Sequence, residues 1–225
     1  MRFFIANWKA NKNLTEAMEW FDIFLSFPPA SDSVTIIICP PYPLLYPLKE
    51  RVKNTKNIYL GSQDLSIFES GTYTGEVTAK TLSGLADYAI IGHSERKENF
   101  SETDQSNIRK VILANKYKIS PLLCIQDENS TIIEDTKFVV YEPPWAISKG
   151  FEDSINTKIE QTPEEAVKVR QTLKINENKY FIYGGSVNPN NIKDYSKFPQ
   201  IDGVLVGGAS LDPKVFYQII NLSHP

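Results

Sequence analysis

The 225-residue chain is long enough to bury a large core and by length could be one domain or two, since α/β barrels run to this length as single domains. It carries 24 Lys and Arg against 27 Asp and Glu, a formal net charge of -3 with no basic cluster, which excludes the electrostatic footprint of a nucleic-acid binder. The amino terminus lacks the basic and apolar regions of a signal peptide and no apolar run reaches membrane-spanning length, so a cytoplasmic protein without a membrane partner is expected.

Short runs rich in Ile, Val and aromatics recur at 3–6, 34–39, 58–60, 88–91, 119–125, 138–141, 180–183 and 204–206. They are continuous rather than alternating, the pattern of strands buried on both faces. Between most of them apolar residues recur at helical spacing. Leu14, Ala17, Met18, Trp20, Phe21, Phe24 and Leu25 form the first such segment, Asp104, Ile108, Val111 and Ile112 belong to another, and residues 163–173 to a third. Two helix starts are explicit: Thr162 stands before Pro163 and two glutamates, and Asp212 before Pro213. Each puts a capping side chain ahead of a proline whose missing N–H has no helical partner to lose.

Strand alternating with helix eight times predicts a parallel sheet, and eight strands close into a (β/α)8 barrel, with an open doubly wound sheet as the alternative. One unit is short. Only about a dozen residues separate the fifth run from the sixth, near the lower limit for a crossover, so the fifth helix should be missing or reduced to a turn around 130–135. No linker or composition break divides the chain, and a single domain over 1–225 is expected.

Cys39 and Cys124 each sit inside an apolar run, the place of a reduced core thiol, and with only His93 and His224 besides them no metal-ligand cluster exists. No metal is expected. The informative polar residues come directly after the runs, and in a parallel barrel those carboxyl ends share the face where ligands bind. Asn7 and Lys9 follow the first run, Gly92-His93-Ser94-Glu95 the fourth, Glu142 the sixth, Gly184-Gly185-Ser186 the seventh and Gly207-Gly208-Ala209 the eighth.

Glu142 ends an apolar run and is followed by Pro143 and Pro144, which stiffen its exit. A buried carboxylate without partners is costly, so Glu142 read alone is either a strand-end cap at the surface or a base. His93 read alone is a satisfied core histidine or an acid–base partner, and a face shared with Glu142 favours the second. Either glycine pair read alone is an ordinary tight turn, but two in consecutive units favour a phosphate site, where backbone N–H groups approach the oxygens closely. Lys9 is either part of a plain strand exit or a fixed cation for an anionic substrate.

Asn7-Trp8-Lys9, Ile91-Gly92-His93-Ser94-Glu95-Arg96, the stretch from Tyr141 to Ile147, Tyr183-Gly184-Gly185-Ser186 and Val206-Gly207-Gly208-Ala209-Ser210 run in order from the first strand to the last. Together they resemble the triosephosphate isomerase family. The resemblance implies a TIM barrel that interconverts dihydroxyacetone phosphate and D-glyceraldehyde 3-phosphate through an enediolate, in glycolysis and gluconeogenesis, with no cofactor and no metal. It implies Glu142 as proton acceptor and His93 as neutral electrophile, a pairing for which this family is itself the standard example. Lys9 becomes the electrostatic catalyst, and Asn7, Lys9, Ser148, Ser186, Gly207 and Gly208 the substrate-binding residues. Glu95 falls beside the lysine and histidine, where a surface ion pair with Arg96 is the other reading. Gln63 and the loop 71–76 resemble the family's dimer loop, whose threonine, here Thr74, reaches the neighbouring subunit's site; a homodimer is implied.

Three departures stand out. The fifth helix is short of residues. The family's Cys-Ile-Gly-Glu reads Cys124-Ile125-Gln126-Asp127, and its Gly-Thr-Gly after Ala-Ile reads Ser148-Lys149-Gly150, with residues 151–161 longer than the usual hinge before Thr162. The loop after Glu142 closes over substrate in the family, which is again the standard example of such gating. A non-catalytic phosphate-binding barrel and another phosphate-binding barrel enzyme are the competing readings, since fold alone does not fix a reaction. The joint presence of Asn7, Lys9, His93 and Glu142 separates them from an isomerase.

Overall fold

The computed structural model describes residues 2–146 and 161–223. Eight parallel strands close in sequence order into a barrel, which rules out the open sheet. They are β1 (Phe3–Asn7), β2 (Thr35–Cys39), β3 (Ile58–Ser62), β4 (Tyr88–Ile91), β5 (Ser120–Ile125), β6 (Phe138–Tyr141), β7 (Tyr180–Tyr183) and β8 (Gly203–Val206). The ring closes where Phe3 to Ala6 pair with Gly203 to Val206. Outside it lie α1 (Leu14–Ser26), α2 (Tyr42–Val52), α3 (Ala79–Leu82), α4 (Ser94–Phe100), α5 (Asp104–Lys116), α6 (Pro163–Thr172), α7 (Ile192–Ser196) and α8 (Pro213–Leu222). Among the described residues no helix is long and apolar enough to cross a membrane, and no three His, Cys, Asp or Glu side chains are grouped to hold a metal.

The strands read as continuous apolar runs because both their faces are buried, in two different cores. Phe3, Ile5, Ile37, Cys39, Ile90, Leu122, Cys124, Phe138, Val140, Ile182 and Leu205 fill the barrel. Their neighbours Phe4, Ala6, Ile36, Ile38, Ile91, Leu123, Val139, Phe181 and Val204 face the helices. Side chains alternate with a period of two along a strand, so one run serves both cores. At the amino-terminal end the rings of Phe3, Phe138 and Tyr180 close the barrel, with centroids 4.7 to 5.1 Å apart.

The helix starts follow their local chemistry. Thr162 accepts from the Glu165 N–H and Glu165 reaches back to the cap, while Asp212 accepts from Lys214 and Val215. Asn13 and Glu16 form the same reciprocal box ahead of α1. Trp20 of α1 stacks on Phe24 at 4.7 Å and donates its indole N–H to the Ser210 carbonyl at 3.1 Å, tying the first helix to the exit of β8.

Between β5 and β6 there is no helix: residues 126–137 form turns, as their number requires. Backbone groups there find side-chain partners in place of helical ones. Ser130 Oγ accepts from the N–H of Gln126 and of Asp127 at 3.2 and 3.3 Å. Lys179 Nζ donates to the carbonyls of Glu134 and Thr136 at 2.7 and 2.6 Å, and Asn115 holds that of Asp135 at 3.0 Å.

Candidate active site

Cys124 pairs with Val140, Val140 with Ile182, and Ile5 with Leu205, and all of these point into the barrel. Two residues further along each strand the inward register brings Gln126, Glu142, Gly184, Asn7 and Gly207 to the carboxyl-terminal mouth. Strand pairing therefore brings Asn7 and Glu142 to one mouth, and the turns after β1 and β4 add Lys9 and His93.

Glu142 is fully buried, with its N–H on the Ile125 carbonyl at 2.8 Å. Its Oε2 accepts from the Ser94 N–H at 3.2 Å, at the first turn of α4, where the helix dipole favours a negative charge. Its Oε1 lies 3.3 Å from His93 Nε2. Gly184 makes room for this side chain, because a Cβ there would sit 2.7 Å from Glu142 Cγ. Beneath it Cys124 is buried, and burial followed by the Glu142 charge pushes its thiol well above the ordinary range. That thiol stays protonated.

His93 caps α4: its Nδ1 accepts from the Glu95 N–H at 3.2 Å. With that nitrogen occupied as an acceptor, the proton of a neutral imidazole sits on Nε2, the nitrogen that faces Glu142. The tautomer is set by the backbone of the next turn.

Lys9 leaves β1 at φ +52, a left-handed conformation that non-glycine residues seldom adopt and that persists only when the surroundings impose it. Asn7 Oδ1 accepts its N–H at 3.1 Å, and Gln63 Nε2 donates both to its carbonyl at 2.8 Å and to that of Cys39 at 2.9 Å. Its ammonium pairs with Glu95 Oε1 at 2.5 Å. Glu95 thus contacts the lysine directly instead of pairing with Arg96. Arg96 turns away, to Asp64 at 2.8 Å and Glu102 at 2.6 Å, carboxylates that also hold the buried Lys110. Burial works against ionised Glu102, but Lys110 and Arg96 outweigh it and hold that carboxyl below its usual range.

Ser186 is buried, with its N–H on the Ala146 carbonyl at 2.7 Å and its hydroxyl without a hydrogen-bond partner. It joins the exit of β7 to the 3₁₀ turn Pro144–Ala146 that follows Glu142. Gly207 and Gly208 begin a second 3₁₀ turn, and a Cβ on Gly207 would lie 3.5 Å from Lys9 Cε. Thr74 sits on an exposed loop where Tyr73 stacks on Phe68 at 3.6 Å. Ser148 and most of the added segment 151–161 lie outside the described residues.

Asn7, Lys9, His93, Glu142, Glu95, Ser186 and Gly207 are thus brought to one mouth. Gln63 joins them as a brace for Lys9, a role that its grouping with the loop 71–76 concealed. The signal was present: Gln63 directly follows β3, at a carboxyl end like the others.

The sequence model of a family described as triosephosphate isomerase matches residues 2–223. The triosephosphate isomerase of Aquifex aeolicus (strain VF5) is 34% identical, over 97% of this chain and 98% of the relative. Those of Gloeothece citriformis (strain PCC 7424) and Dictyoglomus turgidum (strain DSM 6724 / Z-1310) are each 33% identical, over 96% of both chains. The closed parallel barrel and nearly full-length matches give one conclusion: this chain belongs to the triosephosphate isomerase family.

Proposed function

We propose that this isomerase interconverts dihydroxyacetone phosphate and D-glyceraldehyde 3-phosphate with Glu142 as base, His93 as electrophile and Lys9 as electrostatic catalyst. The observation that carries the assignment is the facing pair: a fully buried carboxylate whose Oε1 lies 3.3 Å from His93 Nε2. Glu142 takes a proton from the carbon beside the carbonyl and returns it to the neighbouring carbon. His93 Nε2–H polarises the carbonyl oxygen while charge develops there, and the Lys9 ammonium stabilises the enediolate. Asn7 holds the backbone that presents Lys9.

The phosphate is assigned to the Ser186 hydroxyl and the backbone of Gly207 and Gly208, with Ser148 completing it from outside the described residues. Glycine allows the close approach, and Lys9 adds positive potential at the same mouth. Binding energy from this remote group favours the reacting geometry. The pathway is glycolysis and gluconeogenesis, in the cytoplasm, in a single domain over 1–225 acting as a homodimer through Thr74.

A coupled spectrophotometric assay in both directions tests the chemistry. Glu142→Ala should lower kcat by about 10²–10⁴-fold, the usual range for losing a positioned general base, while the variant stays folded. Near-native turnover in that variant would overturn the assignment.

A further inference from the structure

Gln126 stands level with Glu142 in the inward register at the mouth of the barrel. Its side-chain Nε2 donates to the Gly92 carbonyl at 3.2 Å, and its own N–H is held by Ser130 Oγ. Gly92 is the point where the chain turns from β4 into α4. It has φ +76, and a Cβ would lie 2.7 Å from Asn107 Nδ2, so its backbone is confined on one side by packing and on the other by Gln126.

The two residues after this turn are the ones that face Glu142. His93 presents Nε2 to Oε1, and Ser94 gives its N–H to Oε2. Rotation of the Gly92–His93 peptide would displace the imidazole and that N–H together. No helix follows β5, and the Ser130 turn takes over the task of fixing the backbone from which Gln126 reaches across.

We propose that Gln126 is a positioning residue for the isomerase reaction: its amide fixes the Gly92 carbonyl and thereby sets His93 and the Ser94 N–H against Glu142. The proposal rests on the assignment of His93 and Glu142 made above. It requires a hydrogen-bond donor at this position and not merely a side chain of similar size. Gln126→Met keeps the length without the donor, and Gln126→Glu keeps the shape but turns an acceptor toward the carbonyl.

Steady-state kinetics of both variants, with thermal midpoints and the imidazole 15N resonances of His93, make the test. Misplacing a catalytic group by a fraction of an ångström is expected to lower kcat by about 10-fold, with KM changed by less than about twofold. The His93 resonances should shift in both variants while the thermal midpoint stays near that of the parent. Turnover of both variants within about twofold of the parent, or unmoved His93 resonances, would overturn the proposal. If the parent chain itself lacked turnover, the catalytic assignment would fall, and the His93 resonances would still decide whether Gln126 positions the ring.

Discussion

Glu142 is a fully buried carboxylate, a demanding placement for an acid at the mouth of a strand. Its Oε2 is met by the Ser94 N–H at the start of α4, and its Oε1 faces His93 Nε2. Such a group is sensitive to crowding as well as to removal. Gly184→Ala would put a methyl 2.7 Å from Glu142 Cγ, and the carboxylate would have to move away from His93. We expect kcat to fall about 10- to 100-fold, the scale of a small misplacement of a reacting group, and stopped-assay turnover of the purified variant checks it. A rate equal to the parent's would mean that the strand can yield without moving the base.

At the scale of elements, two irregularities govern the site. His93 is the N-cap of α4, so the ring that caps the helix is also the ring that faces the base. The segment between β5 and β6 has no helix and relies on Ser130, Lys179 and Asn115 for its backbone partners. Helix α6 is the element that receives the chain after the long segment beyond Glu142, and Thr162 fixes where it begins. Removing that cap in Thr162→Ala should cost about 1 kcal/mol of stability, read as a lower urea midpoint with unchanged slope. No change in the midpoint would show that Pro163 alone defines the start.

At the scale of the whole molecule, the described residues form two concentric apolar cores and a buried cluster of charges that includes Arg96 of α4 and Lys110 of α5. Lys110 bridges Asp64 and Glu102 at 2.6 and 2.7 Å, and Arg96 meets the same two carboxylates. Removing one member leaves a buried charge uncompensated, so Lys110→Met should destabilise the fold by about 3–5 kcal/mol, measurable as a shift in denaturant midpoint. A loss below about 1 kcal/mol would place the cluster among solvent-screened pairs. The exposed loop carrying Thr74 is proposed above as the dimer contact, which predicts sedimentation at twice the mass of the 25.5 kDa chain. A species sedimenting at the single-chain mass would contradict the homodimer.

The sequence by itself determined the rhythm of eight buried runs, the shortened fifth unit, and the rule that polar residues at strand ends meet on one face. It did so because burial on both faces, proline and capping chemistry, and crossover length are local and leave marks in composition and spacing. The meeting of Asn7, Lys9, His93 and Glu142 at one mouth was legible for that reason, while the roles proposed for them came from the family resemblance. Only the tertiary structure decided that Gln63 braces the left-handed Lys9, that Glu95 chooses Lys9 over Arg96, and that the Glu95 N–H fixes the tautomer of His93. It also decided that Gln126 reaches back to Gly92. These depend on pairing between distant strands and on single backbone angles, and a side chain with several possible partners finds its own only when the barrel closes.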